Sequence, residues 1–453
     1  MKRSLLLTPL LACSFVSTAR ASKLDISTEY RLRGLSYTNL NIDAQQANDR
    51  SMLSQSARLG FAVKGITLTD HKAEPETMDI VIGFRALGIA DSTGTTLSAP
   101  FARIADQYPN ARFMPFLENA FVRVKNLGGK NWTLSAGRQN FSLGSGLLLD
   151  DNGGGLTGVR AQAELPWGGV QTQGFAFVAR NAWGQANALN LFGASFEKRG
   201  ADGVWEWNHL LEKDRGTQFS EVTGCGVSGC LVGQVTRYFS SIRYHMRFHS
   251  IIFEGEAAIE RGAANPTGPA PLGNHITYNG NAQVVKAKWK QTFYKDVQGI
   301  SRVVLARGSG DDPGTPTTNE AFFPSHGKRY DGLERTGFGQ FYAATPYDAF
   351  GGQSTATVSG LQRGASGIIT VGFGLTPPSY KGWVAEFDYF LYQAERNTAA
   401  PRTLGSELDL TLRYDFRERF QIHATAAFFR SGHATVFEKN TAKRYMLEAV
   451  ARF

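Results

Sequence analysis

The sequence predicts an all-β fold: a single transmembrane antiparallel up-and-down β-barrel of about 18 strands, with short periplasmic turns and long extracellular loops. Three observations predict it. Apolar and charged side chains alternate in one segment after another, an apolar leader opens the chain, and no later stretch reaches the roughly 20 apolar residues that a membrane helix needs. The 453 residues include 50 glycines, and 12% are aromatic, a composition that favours strands over helices.

The first 21 residues have the form of a signal peptide. Two basic residues precede an apolar run that ends in the small-x-small sequence Ala19-Arg20-Ala21, which signal peptidase cleaves. We therefore assign residues 1–21 to a signal peptide and residues 22–453 to an outer-membrane barrel. A lipoprotein cleavage box at Leu10–Cys13 is the alternative, although the apolar core before the cysteine would then be very short.

Charge and cysteine content narrow the possible partners. The net charge is +9, and loss of the three cations of the leader leaves a mildly basic chain that is not expected to bind nucleic acid. Cys225 and Cys230 stand five residues apart in a glycine-rich segment, and we expect a small disulfide there rather than free thiols. A metal site would need two more ligands nearby and none is seen, so no metal or other cofactor is expected.

The segment KLDISTEYRLRGLSY (23–37) shows the alternation plainly. Its apolar side chains, such as Leu24 and Ile26, fall on one parity, and its charged ones, including Arg31 and Arg33, fall on the other. Because successive side chains of a strand point to opposite faces, the segment has one oily and one charged face. A wall between lipid and a wet lumen satisfies both faces.

Segments of this kind recur along the chain, and we expect 18 strands. They lie near residues 23–37, 50–64, 78–89, 114–125, 131–141, 156–165, 170–180, 189–198, 203–213, 234–248, 250–261, 280–293, 298–307, 365–375, 380–393, 405–416, 419–430 and 444–453. Short connections follow every second strand, as at the periplasmic rim of outer-membrane barrels. The turn at 65–77 is longer than this pattern expects. A soluble β-sandwich or propeller is the alternative, since its strands alternate too.

The last strand, RYMLEAVARF, ends the chain on Phe453. A terminal strand that closes on an aromatic residue resembles the assembly signal of bacterial outer-membrane proteins. We therefore expect the chain to reside in the outer membrane of a Gram-negative bacterium, to contact outer-membrane lipid, and to engage the barrel assembly machinery through this strand.

Several short motifs resemble the alginate export family of outer-membrane porins. They are EYRLRG (29–34), WTLSAGRQNFSLGSG (132–146), LARGSGDD (305–312), GSELDLTLRYDF (405–416) and the closing AVARF. The resemblance implies an 18-stranded barrel with a basic constriction that passes a uronate polymer, with Arg31, Arg58, Arg138 and Arg307 as members of that constriction. This sequence departs from the family at its penultimate strand, where His423 and Thr425 replace two inward arginines and only Arg430 matches a basic position.

The polar parities of the strands supply candidate pore-lining residues. Arginine suits an anion-binding lumen because its planar guanidinium holds a carboxylate through two hydrogen bonds. The alternative is that these side chains form salt bridges that only brace neighbouring strands. The candidates for pore lining or anion binding are Arg31, Arg33, Arg58, Arg138, Arg243, Arg247, Arg307, Arg413, His423 and Arg430.

The interval 308–364 is rich in glycine, proline and small polar residues. A loop of this length is uncommon unless it is functional. It is either a gate or constriction that folds into the barrel mouth, anchored by Phe322, Phe323, Phe341 and Tyr342, or a mobile outward loop.

Together these features predict a porin or exporter for an anionic saccharide, such as an alginate-like uronate polymer or oligomer, or for a small anionic solute. The alternatives are a general diffusion porin and a surface receptor or adhesin. An enzyme that uses His245 and His249 near Ser241 and Ser250 is not expected, because no nucleophile motif accompanies these residues.

Overall fold

In a computed structural model of the protein, 18 antiparallel strands close into a barrel. The structure describes residues 22–39, 42, 49–69, 74–91, 114–151, 153–166, 168–180, 188–215, 231–267, 275–294, 297–312, 314–315, 317–326, 337–343, 349–350, 365–397, 401–416, 419–435 and 438–453. The predicted signal peptide lies outside these residues.

The strands follow one another round the barrel in chain order. They are β1 (Lys23–Thr38), β2 (Arg50–Thr67), β3 (Thr77–Asp91), β4 (Met114–Lys125), β5 (Trp132–Gln139), β6 (Leu156–Glu164), β7 (Val170–Arg180), β8 (Leu189–Arg199), β9 (Gly203–Asp214), β10 (Leu231–Phe248), β11 (Ile251–Thr267), β12 (Asn281–Tyr294), β13 (Val297–Gly308), β14 (Ile368–Thr376), β15 (Trp383–Gln393), β16 (Thr403–Phe416), β17 (Phe420–Ser431) and β18 (Thr441–Arg452). The predicted fold class and the predicted strand count are confirmed.

The barrel closes between its first and last strands. β1 pairs with β18 in a register that sets Arg33 opposite Glu448. Beyond the end of β18, the Phe453 and Thr28 backbones exchange two hydrogen bonds of 2.9 Å each. Both ends of the described chain therefore lie on one rim, the rim with the short connections, which is the periplasmic rim in outer-membrane barrels.

The connection between β2 and β3 is the longest on the periplasmic rim, as the sequence suggested. β2 continues to Thr67, and its register with β3 shifts between Val63 and Ile66. The next periplasmic turn holds a single turn of 3₁₀ helix at Leu127–Gly129. Among the described residues, no helix is long and apolar enough to cross a membrane.

The outer surface of the barrel is apolar. Leu24, Phe373 and Leu447 are 60%, 55% and 62% exposed, respectively. Tryptophans such as Trp132 and Trp289 lie on the same surface near the periplasmic rim, where aromatic residues mark the lipid–water interface. A closed barrel whose outer face is apolar and whose inner face is charged belongs in a Gram-negative outer membrane, so the predicted location is confirmed.

The extracellular half of the barrel interior holds an apolar core. Inward side chains of the strands, such as Phe177, Phe239 and Phe429, are buried against residues of two long loops. The shorter of these loops lies at 140–155, and the longer connects β13 with β14. A short strand, Ile276–Tyr278, pairs with β11 and runs parallel to Thr318–Asn319 of the longer loop. The loops that enter the barrel therefore decide the shape of the passage.

Candidate functional site

The loop at 140–155, between β5 and β6, folds into the barrel. Leu147, Leu148 and Leu149 are almost fully buried, and the Phe141 ring packs 4.6 Å from that of Phe175 on β7. At its tip, the Ser145 backbone N–H donates a 2.9 Å hydrogen bond to a carboxylate oxygen of Glu256 on β11. Since β11 lies five strands beyond β6, this loop crosses the lumen.

The crossing requires glycine at the tip of this loop. Gly144 has φ +63°, a left-handed conformation that residues with a Cβ rarely adopt. A Cβ at this position would lie 2.2 Å from Oε1 of Glu256. A larger residue at Gly144 would therefore push the loop away from β11.

The loop between β13 and β14 also turns inward. Its aromatic residues Phe322, Phe341 and Tyr342 are at most 1% exposed, and Phe323 is 8% exposed. The Tyr342 ring stacks on Phe429 of β17, with ring centroids 4.8 Å apart. All four aromatic residues expected to anchor this loop are thus buried, although a gating role stays a prediction.

Buried carboxylates of the wall hold the longer loop in place. Oε1 of Glu407 accepts a 2.6 Å hydrogen bond from the Phe341 backbone N–H, and Oε2 accepts one of 2.8 Å from Tyr342. Asp409 accepts a 3.0 Å bond from the Gln340 backbone N–H. Hydrogen bonds to charged groups contribute about 1.5–3 kcal/mol each, so these carboxylates fix the loop against β16.

A second anchor surrounds Arg237 of β10. Its guanidinium donates 2.8 Å hydrogen bonds to carboxylate oxygens of both Glu212 and Glu260, and a 2.9 Å bond to the Phe323 backbone carbonyl. Glu260 in turn accepts a 2.8 Å bond from the Phe323 backbone N–H. Every one of these side chains is at most 3% exposed, apart from Phe323. The cluster therefore pins the loop instead of presenting charge to a solute.

The two loops also meet each other inside the barrel. The Asp150 backbone N–H donates a 2.7 Å hydrogen bond to the His326 carbonyl, and the His326 backbone N–H donates one of 3.3 Å to the Leu148 carbonyl. The two loops are thus a joint structure, anchored to β9–β11 on one side and to β16 on the other. We call it the constriction; that it narrows the pore stays a prediction.

Most of the predicted pore-lining cations do face the lumen, where carboxylates pair with them. Arg31 and Arg33 of β1 contact Glu29 (3.2 Å) and Glu448 (2.7 Å), respectively. The other pairs are Arg58–Glu118 (3.1 Å), Arg243–Glu206 (2.8 Å), Arg243–Glu254 (3.0 Å), Arg413–Asp415 (3.1 Å) and His423–Glu448 (3.5 Å). Arg247 is exposed near the periplasmic end of β10 and has no ion pair within the described chain.

Three predicted pore-lining arginines lie on the outward parity, so their assignment to the lumen is corrected. Arg307 shares its parity with Leu305, which is 46% exposed on the lipid side. Arg430 shares its parity with Phe428, whereas the buried residues of β17 alternate with it. Arg138 would face inward only if β5 bulged before it, but the register of β5 with both neighbours is regular through Arg138.

Cys225 and Cys230, the predicted disulfide, lie outside the described residues. The disulfide stays a prediction.

The wall also carries inward cations that form no ion pair with a described carboxylate, and the sequence pattern did not identify the most enclosed of them. Arg123 of β4 and Arg160 of β6 lie level with each other, on either side of Ser135 of β5. Neither forms an ion pair with a described residue. Asp79, opposite Arg123, is engaged by Lys125 Nζ at 2.7 Å and by the Gly65 N–H at 3.1 Å.

This arginine pair lies at the edge of the constriction. The Arg160 guanidinium is 5.3 Å from the centroid of the Phe141 ring, in the loop at 140–155, and donates a 2.8 Å hydrogen bond to Gln173. The Arg123 guanidinium lies 5.1 Å from the Phe121 ring, and its Nε has no hydrogen-bond partner among the described groups. The signal in the sequence was weak, because Arg160 is the single cation of its polar parity and Arg123 shares its parity only with Lys125 at the end of β4.

A row of lysines forms a second positive region. Lys286, Lys288 and Lys290 alternate along β12 with outward residues such as Trp289. None of the three forms an ion pair with a described carboxylate. Because β12 lies six strands beyond β6, the lysine row and the arginine pair occupy different sides of the lumen.

A cavity of about 360 Å³ separates the wall of β1–β4 from the loop at 140–155. Arg58 borders it, but so do three acidic residues, Glu118, Asp150 and Asp151. This cavity is therefore not a positive site, and the inward cations that form no described ion pair include the arginine pair and the lysine row.

Comparison with solved structures supports the fold. The chain is similar to Acinetobacter baumannii OccAB1 (TM-score 0.55, 9% identity, covering 95% of this chain and 97% of that one). It is also similar to Pseudomonas aeruginosa OpdK with vanillate (0.53, 13%, 95% and 98%) and OccK2 (OpdF) in complex with glucuronate (0.52, 12%, 95% and 96%). No family model and no curated protein matches the chain, so the resemblance to the alginate export family gains no support. At these identities, the likeness establishes an outer-membrane porin fold.

Proposed function

We propose that this protein is a selective porin for small anionic solutes. The observation that carries the proposal is a set of inward cations at and below the constriction that form no ion pair with a described carboxylate, namely the Arg123–Arg160 pair and the lysine row of β12. Most other described cations of the wall pair with carboxylates, so these positions contribute strongly to the potential that a solute meets. Positively charged walls raise the local concentration of anions and speed their entry.

The inward loops favour a small solute over a polymer. The extracellular half of the barrel is filled by an apolar core of buried loop residues, and the loop anchors described above hold that core against two sides of the wall. A solute must pass between fixed elements, so its cross-section is limited. Two of the similar structures contain vanillate and glucuronate, both small carboxylates, which is consistent with this reading. Export of an alginate-like polymer remains the rival.

Several weak sites in series suit transport better than one tight site. A solute must bind strongly enough to enter and weakly enough to leave. The lysine row offers three successive positions on one strand, and the arginine pair offers a more enclosed one. We infer that an anion moves between these positions on its way through the periplasmic half of the lumen.

The test is reconstitution of the purified barrel in planar bilayers. Under a KCl gradient, the reversal potential should show anion preference, and added glucuronate should carry current. Uronate oligomers of increasing length should stop permeating once they exceed a few sugars. Cation preference would refute the proposal, and current carried by long uronate chains would favour polymer export instead. A barrel without measurable conductance would favour the receptor alternative.

A further inference from the structure

The charge on the lipid-facing surface of the barrel has one sign. No Asp or Glu occupies the outward parity of the 18 strands where the structure describes side chains. The outward cations are Arg138, Lys198, Lys213, Arg261, Arg307, Arg430 and Lys443. All except Lys198 lie in the extracellular part of their strands.

This distribution is not needed for the barrel itself. A charge on the lipid face is costly near the middle of the bilayer and nearly free at the interfaces, and the cost is smaller for Asp and Glu than for Arg and Lys. That rule favours neither rim and does not favour cations. Outward cations at the extracellular rim, on strands with no described outward acid, instead indicate an anionic partner in the outer leaflet.

Arg430 and Lys443 form the clearest part of this belt. In the register of β17 with β18, Arg430 faces Thr441 and Phe428 faces Lys443. The two cations are therefore diagonal neighbours, about 7–8 Å apart between their backbones. Neither is in an ion pair with a described carboxylate. By contrast, Arg307 is paired with Glu395 at 2.7 Å.

Aromatic side chains lie directly below this cation pair. Phe428 and Tyr445 alternate with Arg430 and Lys443 on the same outward surface, and their rings meet edge to face, with centroids 6.0 Å apart. Aromatic residues mark the boundary between hydrocarbon and headgroups in membrane barrels. The two cations thus lie at headgroup height, above the apolar belt.

We infer that Arg430 and Lys443 bind a phosphate group of a phosphorylated glycolipid in the extracellular leaflet. The arginine guanidinium supplies a planar pair of donors for phosphate oxygens, and the lysine ammonium supplies a second positive charge. The acyl chains of the same lipid pack along Phe428, Tyr445 and the apolar residues below them. This site is on the outside of the barrel and is independent of the proposed transport function.

The experiment compares the unaltered barrel with the double variant Arg430→Gln plus Lys443→Gln. Native mass spectrometry measures how tightly each binds bisphosphorylated lipid A. Each cation near a charged membrane surface contributes about 1 kcal/mol, so the double variant should bind about 30-fold more weakly. The matched control is Lys198→Gln, an outward cation at the periplasmic end of β8, which should bind as the unaltered barrel does. Dephosphorylated lipid with the same acyl chains should bind weakly to every variant.

The proposal fails if the double variant retains its affinity, if the Lys198 control loses as much, or if the dephosphorylated lipid binds as tightly as the phosphorylated one. The charge-conserving variant Arg430→Lys plus Lys443→Arg should restore most of the binding, which separates loss of a phosphate site from misfolding. Single-channel conductance should stay unchanged in all these variants, so failure of this proposal is distinguishable from failure of the transport proposal.

Discussion

Replacing both unpaired arginines below the constriction, Arg123→Gln together with Arg160→Gln, should weaken anion preference. Neither arginine forms an ion pair with a described carboxylate, so the variant removes two positive charges while Asp79, opposite Arg123, keeps its ion pair with Lys125. The glutamines keep polar groups that suit the hydrogen bond to Gln173. We therefore expect the barrel to fold, which heat-modifiable mobility on a gel would confirm.

The size of the effect follows from Coulomb's law. A carboxylate in the water-filled lumen about 7 Å from each guanidinium gains about 0.6 kcal/mol from each charge, so the pair raises its occupancy about eightfold. At 0.1 M salt the Debye length is about 10 Å, which halves the energy and leaves about a threefold effect. At 1 M salt the Debye length is about 3 Å, and the difference between variant and unaltered barrel should nearly vanish.

The assay is the reversal potential across a planar bilayer, measured at several salt concentrations. The control is Lys198→Gln, which makes the same change of charge on the outside of the barrel. An unaltered reversal potential in the double variant at 0.1 M salt would refute the assignment of the arginine pair as the selectivity element. A shift that persists at 1 M salt would refute the electrostatic reasoning and indicate a change of pore shape.

Three further predictions concern the loops and the terminal strand. Glu407→Gln should release the loop that Glu407 holds and lower the free energy of unfolding by about 1–3 kcal/mol, which urea unfolding of the refolded barrel measures. The single-channel conductance should also increase if the loop narrows the pore. Burial, with Glu320 nearby, raises the pKa of Asp311 to about 6. Between about pH 4 and 6 the folded loop therefore holds a proton that the unfolded chain loses, so local stability should fall as pH rises through this range. Hydrogen exchange near Asp311 should show this trend, and Asp311→Asn should abolish it. Phe453→Ala should lower the folded fraction in cells by weakening recognition by the assembly machinery, while the conductance of barrels that do fold stays the same; an unchanged folded fraction would contradict that role.

The fold could be predicted from the sequence because its signal is local. The alternation of KLDISTEYRLRGLSY depends only on the geometry of one strand, and the observed strand, Lys23–Thr38, keeps its apolar parity outward. The contrast between short and long connections fixed which rim carries the termini. Neither feature requires knowledge of what a residue meets across the lumen.

The arginines wrongly assigned to the lumen were placed there because resemblance to family motifs was given more weight than the alternation of side chains along each strand. Arg307 follows Leu305 on the same parity, and Arg430 follows Phe428, so the local pattern already placed both outside. The motifs of the alginate export family suggested the opposite orientation. Strand geometry is the stronger constraint here, because a side chain cannot change face without a change of register.

By itself, the sequence determined that this chain alternates apolar and charged faces over 18 strands, because that period is a property of each segment alone. Only the tertiary structure decided which charges are free. Arg31 and Arg33 meet acids on the strands that flank them or on their own strand, and Glu407 meets a loop some 65 residues away. Arg123 and Arg160 form no ion pair with a described acid. Compensation of charge depends on register across strands and on the path of the loops, and no single segment encodes either.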